Sequence, residues 1–128
     1  MFERKYFERV VCADGFSVSV QATQFNYCTP RDNAGPWSSV ECGFPTSKDP
    51  ILEKWAEDPE AEICKESGLV QTVYGWVPSK VILEIIESHG GMVSGELPEM
   101  VPDPEYNPIE AADEMMDAAA ILFGPPPE

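Results

Sequence analysis

The sequence predicts an α+β fold: a small antiparallel sheet of three to five strands, a helix packed on one face, and an acidic C-terminal arm ending in a helix. Three observations carry this. Residues 6–22 read as a hairpin, residues 69–91 as a strand–proline–helix–glycine unit, and the composition changes abruptly after Met92. The expected organisation is a core domain over residues 1–92 and a proline-rich arm over residues 93–128.

In the hairpin, Asp14 and Gly15 stand between two runs of strand-forming residues and suit a two-residue type I′ turn. Pairing Ala13 with Phe16 sets Val11 opposite Val18, Arg9 opposite Val20 and Phe7 opposite Ala22. One face then collects Phe7, Val11, Ala13, Phe16, Val18, Val20 and Ala22, interrupted by Arg9, while the other is wetter. Residues 26–36 are dense in turn formers and read as a long loop. Residues 37–44 form a third strand, stopped by Pro45. Ser47 or Asp49 caps a short helix over residues 50–57, and residues 58–68 make a polar excursion.

Strand character resumes over residues 69–77, with Val70, Thr72, Tyr74 and Trp76 on one face and Val73 and Val77 on the other. Pro78 opens a helix that runs to about Ser88. Val81, Ile82, Ile85 and Ile86 form its buried stripe, while Lys80, Glu84 and Glu87 point outward. His89 lies in the last turn as a cap, and Gly90 and Gly91 supply the left-handed stop. Residues 93–107 are acidic and spaced by prolines, an extended linker rather than a packed element. Residues 109–123 read as a helix, capped by Asn107 and started by Pro108, with Ala112, Met115, Met116, Ala119 and Phe123 on one stripe.

The charge is lopsided. The chain carries 23 acidic against 8 basic residues, a net charge of −15, and after Lys80 it contains no Lys or Arg at all. Such a field repels nucleic acid and anionic lipid and attracts the basic protein surfaces that hold DNA or RNA. No direct contact with nucleic acid and no membrane association are therefore expected. The charged residues of the first nine positions give no signal-peptide pattern, which predicts a cytoplasmic location.

Cys12, Cys28, Cys42 and Cys64 are scattered without a Cys-x-x-Cys pair, and a single histidine is available, so free thiols and no metal site are expected. Cys28 and Arg31 do not form a phosphate loop of the Cys-x5-Arg kind, because Ala34 stands where the arginine would be. One histidine supports no Ser/His/Asp set. Neither a catalytic residue nor a cofactor is assigned. The candidate contact residues are Arg31, Asn33 and Trp37 in the loop and Glu96, Glu99, Asp103, Glu105, Glu110, Asp113, Glu114 and Asp117 in the acidic half. An arginine close to a tryptophan has the composition of an interface hot spot, against the plainer assignment of Trp37 and Trp76 to the core. Carboxylates along an extended segment and one helix can imitate phosphate rows and occupy a basic groove, although such runs are more often solvated faces. Met115, Met116, Ile121, Leu122 and Phe123 suit docking of the arm on its own body or a sister subunit.

Residues 10–22, 27–31, 35–45 and 73–91 together resemble a group of uncharacterised small acidic phage accessory proteins, the resemblance covering about residues 8–91. It implies a virus-encoded protein in a bacterial cytoplasm, a setting in which small acidic proteins bind and inhibit host proteins that handle nucleic acid. The leading expectation is thus a non-enzymatic inhibitor of a basic host protein, such as a defence nuclease. The alternative is a homo-oligomeric assembly protein whose arm docks on its neighbour. A nucleotide-sequestering protein or an enzyme ranks last, because an anion would enter a field of −15.

Overall fold

The structure, a computed structural model, describes residues 6–102. Five strands form one antiparallel sheet: β1 (Val10–Cys12), β2 (Ser17–Gln21), β3 (Ser39–Gly43), β4 (Val73–Pro78) and β5 (Met92–Ser94), in the spatial order β4-β3-β2-β1-β5. A short 3-10 helix spans Leu52–Trp55, and the helix α1 (Ser79–Ser88) carries the chain from the β4 edge to the β5 edge. The α+β class with a small antiparallel sheet is therefore correct. The helix predicted over residues 109–123 and its docking residues Met115, Met116, Ile121, Leu122 and Phe123 lie outside the described residues.

Apolar periodicity places the core. Val81, Ile82, Ile85 and Ile86 are buried along α1, at the helical spacing the sequence shows, and they join Val10, Val18, Val20, Val40, Leu52, Tyr74 and Val77 in one cluster. Gly90 and Gly91, at φ of 91° and 92°, end the helix in the left-handed region as expected. Asp49 is the residue that caps the next shorter element: its Oδ1 accepts the backbone N–H groups of Ile51 and Leu52 at 2.8 and 3.0 Å. All four cysteines are free thiols.

The hairpin register differs from the expected one by a residue. Val10 pairs with Val18 and Val11 with Ser17, so the loop is Ala13-Asp14-Gly15 rather than Asp14-Gly15 alone. Gly15, at φ 95°, takes the left-handed place of a three-residue loop, its N–H donating to the Cys12 carbonyl at 3.0 Å. The shift sends Val11 and Ala13 away from the core and brings in Val10 and Cys12. It also moves Arg9 to the polar face, where the guanidinium donates to Ser17 Oγ, the Ser17 carbonyl and the Phe44 carbonyl. The extra loop residue is fixed from outside the hairpin: the N–H groups of Ala13 and Asp14 donate to the carbonyls of Gly91 and His89 at the end of α1.

Packing continues past Met92. Residues 92–94 pair with β1 as the fifth strand, Pro98 is buried, and Leu97 and Met100 pack against the core. Trp37 and residues 99–101 bind as neighbours, the Trp37 N–H donating to the Glu99 carbonyl and the Val101 N–H to the Trp37 carbonyl, both at 2.8 Å. The segment expected to be a linker over residues 93–107 is thus a packed part of the body as far as Val101. Proline spacing hides this, because the segment takes its hydrogen bonds from distant backbone rather than from a regular element of its own.

Candidate functional site

The second departure from the expected pattern creates a cleft. In β4, Tyr74 pairs with Cys42 and Val77 with Val40, so two residues, Gly75 and Trp76, stand opposite Glu41. This is a bulge, and it breaks the two-residue alternation. Tyr74 and Val77 are both buried, whereas Trp76 is 50% exposed instead of sharing the inner face with Tyr74. Trp76 sits at φ 52°, a left-handed conformation that is costly for a bulky side chain.

What holds it there is the loop after β2. The Trp76 N–H donates to the Tyr27 carbonyl at 2.9 Å, and the two rings stack with centroids 4.8 Å apart and planes 24° apart. Gly75 permits the approach, since a Cβ at that position would lie 3.1 Å from the Tyr27 Cβ. Glu41 shapes the loop: its carboxylate accepts the Asn26 side-chain amide at 3.0 Å and the Tyr27 N–H at 3.1 Å. From the other side, the 3-10 helix delivers Trp55. The Glu57 N–H donates to the Val73 carbonyl at 2.9 Å, pinning this segment along β4.

Tyr27, Trp55, Glu57, Gly75 and Trp76 together enclose an open cavity of about 300 Å³. Glu57 is the one charged side chain among these lining residues. Two cations of the chain itself already lie over the surrounding rings: the Arg31 guanidinium is 5.7 Å from the Tyr27 centroid and Lys54 Nζ is 5.9 Å from that of Trp55. Both separations fall within the range of a cation–π attraction.

A second cluster joins three elements at the far end of α1. His89 Nδ1 lies 2.7 Å from Asp14 Oδ2 and Nε2 lies 2.8 Å from Asp49 Oδ2, while the Phe16 ring stacks on the imidazole at 4.0 Å and 8°. A neutral imidazole has one N–H and can satisfy one carboxylate; the imidazolium satisfies both. Burial opposes that charge, but the hydrogen bonds to Asp14 and Asp49 outweigh it and hold the His89 pKa above its ordinary value. The Phe16 backbone N–H and then His89 hold the Asp14 carboxyl below its ordinary pKa. Among the described residues the side-chain partners of the His89 ring nitrogens are Asp14 and Asp49, and the cluster reads as a clamp tying the hairpin tip, the 3-10 helix and α1.

Of the expected contact residues, Arg31 comes to the rim of the cleft. Asn33 closes its loop by accepting the Gln24 N–H at 3.1 Å. Trp37 is 4% exposed and edge-on to Phe7 at 6.2 Å, so it is a core residue and not a contact surface; its loop is short of room because residues 99–101 run beside it. Glu96 sits beside β1, its carboxylate accepting the Glu8 N–H at 3.1 Å, and Glu99 is exposed. Asp103, Glu105, Glu110, Asp113, Glu114 and Asp117 lie outside the described residues. Sequence reasoning missed the association of Tyr27, Trp55, Glu57 and Trp76, and the clamp on His89. Gly75 inside a strand pattern was the available signal for the first. No protein-family model matches the chain, and no curated protein or solved structure shows significant similarity to it. Among the described residues, no helix is long and apolar enough to cross a membrane.

Proposed function

We propose that this chain is a non-enzymatic binding protein that covers a basic surface of a host protein, with the Tyr27–Trp55–Trp76 cleft as its anchor and the net charge of −15 as its long-range attraction. The observation that carries the reading is Trp76: a large aromatic ring, half exposed, is held in a left-handed backbone conformation beside a cavity. Strain of this kind concentrates at ligand clamps, and exposed aromatics are the commonest anchors of protein interfaces. The resemblance over residues 8–91 supplies the setting, a phage accessory protein acting in a bacterial cytoplasm on a protein that handles nucleic acid, where an acidic surface competes for a phosphate-binding groove.

The test is affinity capture from bacterial lysate with the full chain and with Trp76→Gly, in low and high salt and with competing DNA. Supporting the reading requires a basic, nucleic-acid-binding partner that DNA and salt displace and that Trp76→Gly no longer retains. A partner held equally by the variant, or one that DNA does not displace, overturns it.

A second reading rests on a different observation. Lys80, Leu83, Met100, Val101 and Pro102 line an apolar hollow of about 200 Å³ where the described chain ends, with Leu83 48% exposed. It favours docking between copies of the chain. Sedimentation across a concentration series, with Leu83→Asp as control, decides this: a dimer lost on substitution supports it, and a monomer throughout rejects it.

A further inference from the structure

The reading above leaves open what enters the cleft. We infer that the cleft receives an arginine side chain of the partner, stacked on the indole rings and paired with Glu57; the inference rests on the proposed binding to a basic surface.

Four features of the molecule point to a guanidinium. Three of the five lining residues, Tyr27, Trp55 and Trp76, are aromatic, and the charged side chain among the five is the Glu57 carboxylate, so the lining offers a cation both π systems and a counter-charge. The chain's own Arg31 and Lys54, at 5.7 and 5.9 Å from the Tyr27 and Trp55 centroids, already use these rings as cation platforms, so a partner's guanidinium competes with them there. No cation of the chain is placed over Trp76 among the described contacts. A cavity of about 300 Å³ is at the small end for drug-sized ligands, and suits one long side chain better than a folded element. Finally, the Trp76 ring is oriented before binding by its stack on Tyr27 and its backbone hydrogen bond, so little rotamer freedom remains to be lost.

Between the two basic side chains, arginine fits better. The guanidinium is planar and weakly hydrated, stacks flat on an aromatic face, and presents paired N–H donors matched to a carboxylate. A lysine ammonium is a strongly hydrated point charge, and would lose more solvation for one contact with the ring. A proline ring or a sugar would also lie on tryptophan, but neither would use Glu57 as a counter-charge or depend on salt.

The experiment uses the full chain, labelled with nitrogen-15, titrated with short Gly/Ser peptides that contain arginine, lysine or citrulline, and with a neutral oligosaccharide. The three indole N–H signals report the location, with buried Trp37 as internal control. Expected are shifts at Trp55 and Trp76 but not Trp37, with arginine preferred to lysine and citrulline silent. Trp76→Gly should weaken arginine-peptide binding roughly tenfold, and Glu57→Gln several-fold, the range of a partly desolvated cation–π contact and one ion pair. The Trp37 signal verifies that each variant is folded. Equal binding of citrulline, or of the oligosaccharide, overturns the inference. If arginine peptides bind in a salt-sensitive manner while Trp55 and Trp76 stay still, the inference fails and the basic-surface reading stands. If no basic peptide binds at all, both fail.

Discussion

The His89 corner and the Trp76 bulge both place an aromatic contact beside a carboxylate, yet they treat their polar and apolar surfaces in opposite ways. At His89 each ring nitrogen has a carboxylate, one face of the imidazole is covered by Phe16, and Asp49 serves both the ring and the cap of the 3-10 helix. At the bulge, Trp76 remains half exposed over a cavity, in backbone geometry that relaxed tryptophan avoids. The first arrangement spends its interactions inside the molecule and stabilises the fold. The second leaves half of Trp76 and the Glu57 side chain open to solvent, the condition that the proposed partner contact needs.

The contrast can be broken from the closed side first. Ending the chain at Met92 removes most of β5 and the backbone partners of Trp37, and should abolish cooperative thermal unfolding, whereas ending it at Pro102 should keep the transition. A smaller loss follows Asp49→Ala, which strips two capped N–H groups and one partner of His89. About 2–3 kcal/mol of stability should disappear, read from denaturant midpoints.

Titration probes the His89 corner more gently. The His89 pKa is raised on folding, so its contribution is complete below the unfolded value of about 6.5 and is lost as pH rises through the folded value. The Asp14 pKa is lowered, so its contribution is present above about 3.8 and is lost as pH falls through the folded value. Stability should therefore be greatest between about pH 4 and 6.5 and decline on the alkaline side. His89→Phe should flatten the alkaline limb in equilibrium unfolding. The smallest effect on stability belongs to Trp76→Gly. Relief of the left-handed backbone offsets the lost stacking on Tyr27, and the midpoint should move by no more than about 1 kcal/mol while partner binding collapses. A large destabilisation there would instead mark Trp76 as a structural residue.

Local pattern sufficed for α1. The stripe of Val81, Ile82, Ile85 and Ile86, opened by Pro78 and closed by two glycines, needs no tertiary information, since helical spacing and end signals are both local. The same holds for the presence of a hairpin around Asp14 and Gly15 and for the antiparallel α+β class, whereas the cap of the short helix stood open between Ser47 and Asp49 until the structure placed it at Asp49. The sites were less legible. Arg31 was noticed for its neighbourhood to a tryptophan, but the tryptophan that matters comes from β4, 45 positions further along, and not from its own loop.

What the sequence alone determined, for residues 6–102, is the kind of elements, a small antiparallel sheet and the amphipathic helix α1, and for the whole chain the sign of its charge, a net −15. Tertiary structure decided the registers. The hairpin loop lengthened by one residue because the end of α1 offers carbonyls to Ala13 and Asp14, and β4 bulged because the Tyr27 carbonyl takes the Trp76 N–H. In a strand a one-residue shift moves a side chain to the opposite face at little local cost, so distant hydrogen bonds, rather than neighbouring residues, choose which side chains face solvent.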